Sequence, residues 1–213
     1  MAYAAWQAKV KIVVNLSQGS AARWSPSDTG SKHWLSEKIF SPAKVPTYNL
    51  RGAVFYENIF RQFATGIAEN NELRAPFADG TSVVPLIAAS DIAHEAARAL
   101  LNPKKYAGKT RPIVSELLSL HEIAKITSKV FKRKIVYKEV DTVDWIKEAN
   151  QREDSENIVQ LQHLSQLWKH LLISNKSGLL PMLKRLLLFK NIFVKDDKMK
   201  VEDWLKANAE NIK

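Results

Sequence analysis

Between Ala8 and Ser17 the chain reads AKVKIVVNLS, and this run limits the fold more than any other stretch. Val10, Ile12, Val13, Val14 and Leu16 are apolar and branched with almost no alternation, the pattern of a strand covered on both faces in a parallel sheet. The run ends in Asn15-Leu16-Ser17-Gln18-Gly19, a polar mouth at the strand's carboxyl end, which is where open α/β sheets bind their ligands. Residues 19–31 are rich in Ser, Gly, Pro and Asp and read as a loop. A helix is predicted from Lys32 to Phe40, packing through Trp34, Leu35, Ile39 and the stem of Lys38 and stopped by Pro42 and Pro46.

The alternation continues. Val45 to Ala53 is a second strand, Val54 to Glu69 a helical or irregular segment, and Val83 to Ala88 a short strand. Ser90 is placed as the cap of a helix with Asp91 in its first turn and Ile92, Ala96 and Leu100 in its apolar stripe, ended by Asn102-Pro103. Arg111 to Ser115 is a strand, Ser119 and Glu122 form a capping box ahead of the helix His121 to Phe131, and Ile135 to Val140 is a strand. From Thr142 the chain is mostly helical. Strand–helix alternation implies an α/β fold with a parallel sheet, residues 1–140, followed by a helical lobe, residues 141–213.

Composition removes several classes. The chain has no cysteine, which excludes a disulfide scaffold, a thiolate metal site and a cysteine nucleophile and fits a reducing, cytoplasmic setting. No secretory leader is read at the amino terminus, and no run approaches the length of a membrane span. The net charge of +10 sits in the second half: residues 1–100 hold 10 basic and 8 acidic side chains, residues 101–213 hold 22 and 14. Lysines scattered along helices read as a solvated surface rather than a nucleic-acid surface. His94, His121, His163 and His170 have no carboxylates at metal-ligand spacing, so no metal site is expected.

Five stretches taken together carry a resemblance: VVNLS at 13–17, HWLSEKIF at 33–40, VPTYNLRGAVFYEN at 45–58, VPLIAASDIAHEAARAL at 84–100 and LSLHEIAKI at 118–126. In order, spacing and content they resemble the NmrA-like proteins, a branch of the atypical short-chain dehydrogenases/reductases, over about residues 8–140. The resemblance implies the C-terminal part of a doubly wound, Rossmann-like sheet and binding of NADP or NAD. It also implies one of two kinds of protein, a reductase of quinones or dyes, or a regulator that senses the nucleotide without reducing anything. One departure is large. The seven glycines, at 19, 30, 52, 66, 80, 108 and 178, never come close enough to form the glycine-rich turn that cradles a pyrophosphate. The resemblance therefore implies an N-terminally truncated member with weak or absent cofactor binding, in which the strand at 9–17 becomes a bare sheet edge. The alternative is a chain that pairs this edge with another subunit or a partner.

The Tyr-x-x-x-Lys pair of the wider reductase superfamily is not kept. If Glu37 is the helix Glu that follows it, the Lys position falls on His33 and the Tyr position on Thr29, and H-x-x-[ST]-E resembles the quinone and dye reductases. The resemblance makes His33 and Ser17 the catalytic candidates, with Leu16, Ser17, His33, Arg51, Gly52 and Ala53 on the cofactor and Phe55, Tyr56 and Asn58 on the substrate. Each has a structural alternative: a helix-surface histidine beside Trp34, a strand-end hydroxyl turn, a salt bridge for Arg51 and core aromatics for Phe55 and Tyr56. Lys32 could replace His33 by a one-residue shift. Ser17 lies in no G-x-S-x-G elbow, so a hydrolase is unsupported. Asp91 reads as a structural acid at a helix N-terminus. Leu179 to Phe193 is a basic amphipathic stretch that reads as the core helix of the second lobe, or as a membrane-surface helix. The parent activity implied is hydride transfer from NAD(P)H to a small carbonyl or quinone. A redox-sensing regulator and an interaction module remain the other classes.

Overall fold

The computed structural model describes residues 1–25, 28–76, 80–81, 83–141, 143–145, 147 and 197–212. The chain opens with a short helix, α1 (Ala2–Gln7), and enters β1 (Val13–Gln18) after an extended link. Helix α2 (Asp28–Lys38) crosses back to β2 (Thr47–Gly52), which lies parallel to β1 with Val13 opposite Thr47 and Gln18 opposite Gly52. Then follow β3 (Val54–Phe55), α3 (Tyr56–Asn70), β4 (Glu72–Ala75), β5 (Val83–Ile87), α4 (Ala89–Leu101), α5 (Pro103–Tyr106) and β6 (Thr110–Ile113). The remaining described elements are β7 (Glu116–Ser119), α6 (Leu120–Phe131), β8 (Val136–Glu139), α7 (Val201–Asn208) and a 3-10 turn at Ala209–Asn211.

Parallel strands joined by helices make this the expected α/β, Rossmann-like fold. β6 pairs with the far side of β2, giving the order β1-β2-β6. At Ala53 the chain changes sheets. The Ala53 N–H still donates to the Ile113 carbonyl at 3.2 Å, while Val54 and Phe55 pair in parallel with Leu86 and Ile87 of β5. β7 lies antiparallel on the other side of β5, and β4 pairs in parallel with β8.

Two packed clusters follow from residue periodicity. Along β2 the alternation is strict: Tyr48 and Leu50 are fully buried on one face, and Asn49 and Arg51 lie on the other. Tyr48 and Leu50 meet Ile92 and Ala99 of α4, with Tyr106 edge-to-face on Tyr48 at 5.0 Å. Helix α3 buries Tyr56, Ile59, Phe60, Phe63 and Ile67 at helical spacing against Leu86, Leu120 and Ile123. Full burial of a side chain of this size contributes on the order of 1.5–3 kcal/mol. Val201 and Leu205 of α7 enter the same cluster, and Trp204 stacks on Phe60 at 5.4 Å.

Several local expectations are corrected. The first strand starts at Val13, not in the lysine-bearing stretch before it. Among the described residues it ends its sheet, and with Leu16 49% exposed it is not covered on both faces. Strands β4 and β7 carry too little periodicity to be read alone; they form because β8 and β5 complete their ladders. Helix α2 begins four residues earlier than predicted, and its expected packing face is reversed: Leu35 and Ile39 are exposed and Glu37 is buried. The sheet surface beneath it is polar, so the helix turns Glu37 inward. Ser90 does not cap α4; the cap position is Ala88, with no side-chain bond. The box at Ser119 and Glu122 is present in full, with the Glu122 N–H donating to Ser119 Oγ at 3.2 Å and the Ser119 N–H to Glu122 Oε2 at 2.7 Å. His163, His170, the amphipathic stretch 179–193 and most of the expected helical lobe lie outside the described residues.

The turn from α3 into β4 places one glycine under a hard constraint. Asn71 closes the helix at φ 55°, and a Cβ on Gly66 would sit 2.6 Å from the backbone oxygen of Glu72. Gly66→Ala is therefore expected to lose roughly 1–3 kcal/mol through overpacking, although alanine is the better helix former. Urea unfolding of the two proteins measures it; equal midpoints would mean that the α3–β4 junction yields without cost.

Candidate functional site

The carboxyl ends of β1 and β2 and the inner face of α2 enclose a cluster of polar side chains. In β1 and β2 the odd-numbered residues point to α2, so Asn15, Ser17, Asn49 and Arg51 share one face. The amide of Asn15 donates to Asn49 Oδ1 at 3.0 Å, and that of Asn49 to Thr110 Oγ1 at 3.1 Å, a side-chain ladder across all three strands. One turn of register further, Ser17 Oγ donates to Glu37 Oε1 at 2.6 Å. Arg51 closes on the same carboxylate with both arms, Nε to Oε1 and Nη2 to Oε2, each at 2.8 Å. The Glu37 side chain is 3% exposed and that of Arg51 27%.

A carboxylate at that depth is stable only because it is fully bonded. Burial works to raise the Glu37 carboxyl, but the hydrogen bonds from Arg51 and Ser17 and the Arg51 charge outweigh it and hold the group below the ordinary carboxylate range. In return the hydrogen bonds to Glu37 raise Arg51 above its usual value. His33 lies one helical turn before Glu37 on α2 and is half-buried. Burial lowers its imidazole below the ordinary value, against the pull of the Glu37 charge. The balance favours the uncharged ring.

The structure thus brings Ser17, Arg51 and His33 around Glu37, with Gly52 and Ala53 at the point where the chain passes from one sheet to the other. Gly19 and Gly52 lie side by side there, the Gly19 N–H donating to the Gly52 carbonyl at 3.0 Å. Gly52 does not need a left-handed backbone. Its lack of a side chain leaves space between Ile92 Cδ1, 3.4 Å from a Cβ built on it, and the Phe55 ring. Gln18 Nε2 donates to Ser20 Oγ at this mouth. Leu16 points to the opposite face, away from the cluster.

The candidates on α3 part company. Phe55 and Asn58 are half-buried, while Tyr56 is fully buried. The Tyr56 hydroxyl donates to the Met199 carbonyl at 2.9 Å and approaches Glu116 Oε2 at 3.3 Å, and burial together with the Glu116 charge raises it well above an ordinary phenol. Asp91 is 4% exposed and anchors a second polar cluster. Ser115 Oγ donates to Asp91 Oδ2 at 2.5 Å, the Met199 N–H to the same oxygen at 3.1 Å, and the Val201 N–H to Glu116 Oε2 at 2.6 Å. Sequence reasoning missed the Asn15–Asn49–Thr110 ladder and the Glu116 contacts. The alternation of TYNLRG was the one legible sign of the first. Among the described residues no group of histidines and carboxylates is arranged to hold a metal ion, and no helix is long and apolar enough to cross a membrane.

A parallel sheet with a polar cluster at its carboxyl edge, where the chain switches sheets, defines a Rossmann-like protein. The profile of the NmrA-like family matches residues 1–177, and the chain belongs to that family. No match is found among curated proteins. Among solved structures, the nucleoside-diphosphate-sugar epimerase of Staphylococcus aureus has a TM-score of 0.71 at 16% identity, covering 96% of this chain and 68% of that one. The NADPH complex of the NADPH-dependent quinone oxidoreductase of Escherichia coli has a TM-score of 0.67 at 20% identity, covering 78% and 58%. The NADP(H) complex of the Citrobacter sp. triphenylmethane reductase has a TM-score of 0.66 at 19% identity, covering 79% and 59%. The chain thus matches under three fifths of the length of both reductases, and these identities establish a shared fold.

Proposed function

We propose that this protein is an NAD(P)H-dependent oxidoreductase of the NmrA-like family acting on a small carbonyl or quinone, with the nicotinamide end of the cofactor at the carboxyl edge of β1 and β2. The observation that carries the reading is the Ser17–Glu37–Arg51 cluster beneath that edge, with His33 one turn away on the same helix. The donors at the mouth, the Gln18 amide, the Ser20 hydroxyl, the Arg51 guanidinium and the His33 imidazole, fit a carboxamide and ribose hydroxyls. No glycine-rich turn for a pyrophosphate is present in the sequence, so affinity is expected to be low. Two proteins of similar fold are reductases solved with NADPH or NADP(H), which supports the same cofactor class.

When bound, the nicotinamide supplies the hydride. The chain's own groups supply the rest. Glu37, held ionised, fixes Arg51 and Ser17 and biases the electrostatics of the mouth. His33, in its protonated form, gives a proton to the substrate oxygen as that oxygen gains charge, with Gly52 and Ala53 bounding the cofactor's path and Phe55 and Asn58 facing the substrate. Tyr56 acts through the backbone it holds.

The test is a titration of the chain with NADPH and NADH, followed by tryptophan quenching and then by quinone reduction. Saturable binding with turnover upholds the reading, and no binding at millimolar cofactor sinks it. Binding without oxidation of the cofactor points to a redox-sensing regulator. The His33 role has its own signature. Because the imidazole sits below its ordinary value, its protonated form is lost as pH rises through a point under about 6.5. Turnover should fall along that limb, and His33→Gln should abolish the limb and lower turnover on the order of 10²-fold. An unchanged profile in the variant would assign the proton to another group.

A further inference from the structure

Helices α3, α4 and α7 start without a side-chain cap of their own. Their cap positions are Phe55, Ala88 and Lys200, and none of these side chains bonds a first-turn amide. The first N–H groups of a helix nevertheless need acceptors. Here the acceptors come from other elements. Glu57 Oε1, in the first turn of α3, accepts the Ala89 N–H of α4 at 3.2 Å. Glu116 of β7 accepts the Val201 N–H of α7 at 2.6 Å, and Asp91, in the first turn of α4, accepts the Met199 N–H at 3.1 Å. The Tyr56 hydroxyl donates to the Met199 carbonyl at 2.9 Å. The starts of the three helices are thereby tied to one another.

Trp204 ties α7 directly to the first turn of α3. Its indole Nε1–H donates to Glu57 Oε1 at 3.1 Å, while its ring stacks on Phe60 at 5.4 Å and lies tilted against Tyr56 at 6.0 Å. Glu57 Oε2 is buried and receives no hydrogen bond among the described residues, so the set of the carboxylate rests on Oε1 alone. Phe55, just before this turn, lies against Gly52, with ring carbon Cζ 3.7 Å from a Cβ built on that glycine. Asn58 follows Glu57 directly. We propose that Trp204 is a positioning residue for the substrate: through Glu57 it fixes the first turn of α3, and with it the places of Phe55 and Asn58. The proposal rests on the reading that these two residues face the substrate. Without the indole N–H, Glu57 keeps only the Ala89 amide, and a binding surface that shifts by a fraction of an ångström holds its ligand less well. The nicotinamide end, at the mouth of β1 and β2, has no contact with Trp204 and is unaffected.

The experiment is steady-state reduction of 1,4-naphthoquinone by NADPH, with equilibrium dialysis of the quinone and of NADPH against the same full-length proteins. Trp204→Phe keeps an aromatic ring on Phe60 and removes only the N–H. It should raise the quinone KM and dissociation constant about tenfold, with kcat within about twofold and NADPH affinity unchanged. Glu57→Ala should do the same. Glu57→Gln, which keeps an oxygen for both N–H groups, should stay near the parent. The double variant Trp204→Phe/Glu57→Ala should bind quinone no worse than Glu57→Ala alone, because the two side chains act as one contact. Circular dichroism checks that each variant is folded, and if Trp204→Phe is not, the two Glu57 variants carry the comparison. A quinone KM unmoved by the loss of the contact, two lesions whose effects multiply, or kcat, KM and NADPH affinity all worsening together would each overturn the proposal. A parent chain that binds no quinone sinks the substrate reading itself and the proposal with it, whereas a working parent with unshifted variants sinks the proposal alone.

Discussion

Glu37→Ala is expected to lose about 3 kcal/mol of folding stability, because it leaves the partly buried Arg51 guanidinium without its carboxylate. The carboxylate is nearly sealed from water and receives three hydrogen bonds, two from Arg51 and one from Ser17. Truncation leaves Arg51 a charge that only its exposed fraction can rehydrate, and a Ser17 hydroxyl at 3% exposure with no acceptor. Glu37→Gln should recover part of the loss through Ser17, although its amide sets N–H groups against the guanidinium. The sign with pH is fixed by the depressed carboxyl. The stabilisation is fully present above the unfolded-state value, near about 4.3, and is lost as pH falls through the lower folded value. Urea midpoints at neutral pH and at about pH 3.5 should therefore converge between the parent and Glu37→Gln. A constant gap across that range would show that the carboxylate charge is not what stabilises the cluster.

Asp91→Ala should cost about as much, on the order of 3 kcal/mol, and in a different place. The carboxylate accepts from Ser115 at 2.5 Å and from the Met199 N–H at 3.1 Å, so it ties the end of β5 and the start of α4 to the segment entering α7. Once the Met199 amide is released, the polar ties left to that segment include the Tyr56 hydroxyl, Glu116 and the Arg98–Asp197 ion pair. The expected result is local opening: amide exchange across Val201–Asn208 faster by about tenfold or more while α3 amides keep their protection. Uniform acceleration through both helices would mean that Asp91 supports the whole fold and not the docking of α7. Asp91→Asn, which can still accept from Ser115, should fall between the two.

These two residues also show where the sequence could be read and where it could not. Asp91 was legible as a structural acid at a helix start. Its partners were not, because Met199 lies 108 residues away and nothing local marks a backbone amide as the recipient of a carboxylate. Arg51 was legible as either an anion site or a salt bridge. Which one depended on α2 turning Glu37 inward, and the apolar pattern of that helix argued for the opposite face. Trp34, Leu35 and Ile39 look like a packing stripe in isolation. Leu35 and Ile39 stay outside because the sheet face below is lined by Asn15, Ser17, Asn49 and Arg51, and the hydrogen bonds of Ser17 and Arg51 draw Glu37 to it.

By itself the sequence determined the α/β class, the α6 capping box and the family resemblance, because each rests on patterns carried within short stretches of the chain and on their order. Only the tertiary structure decided that α2 turns Glu37 inward, that Ser17, Glu37 and Arg51 form one bonded cluster with His33 beside it, and that Tyr56 belongs to the core. These depend on which surfaces meet. A buried charge chooses its side of a helix by the partners it finds there, and those partners come from strands that chain order alone does not bring together.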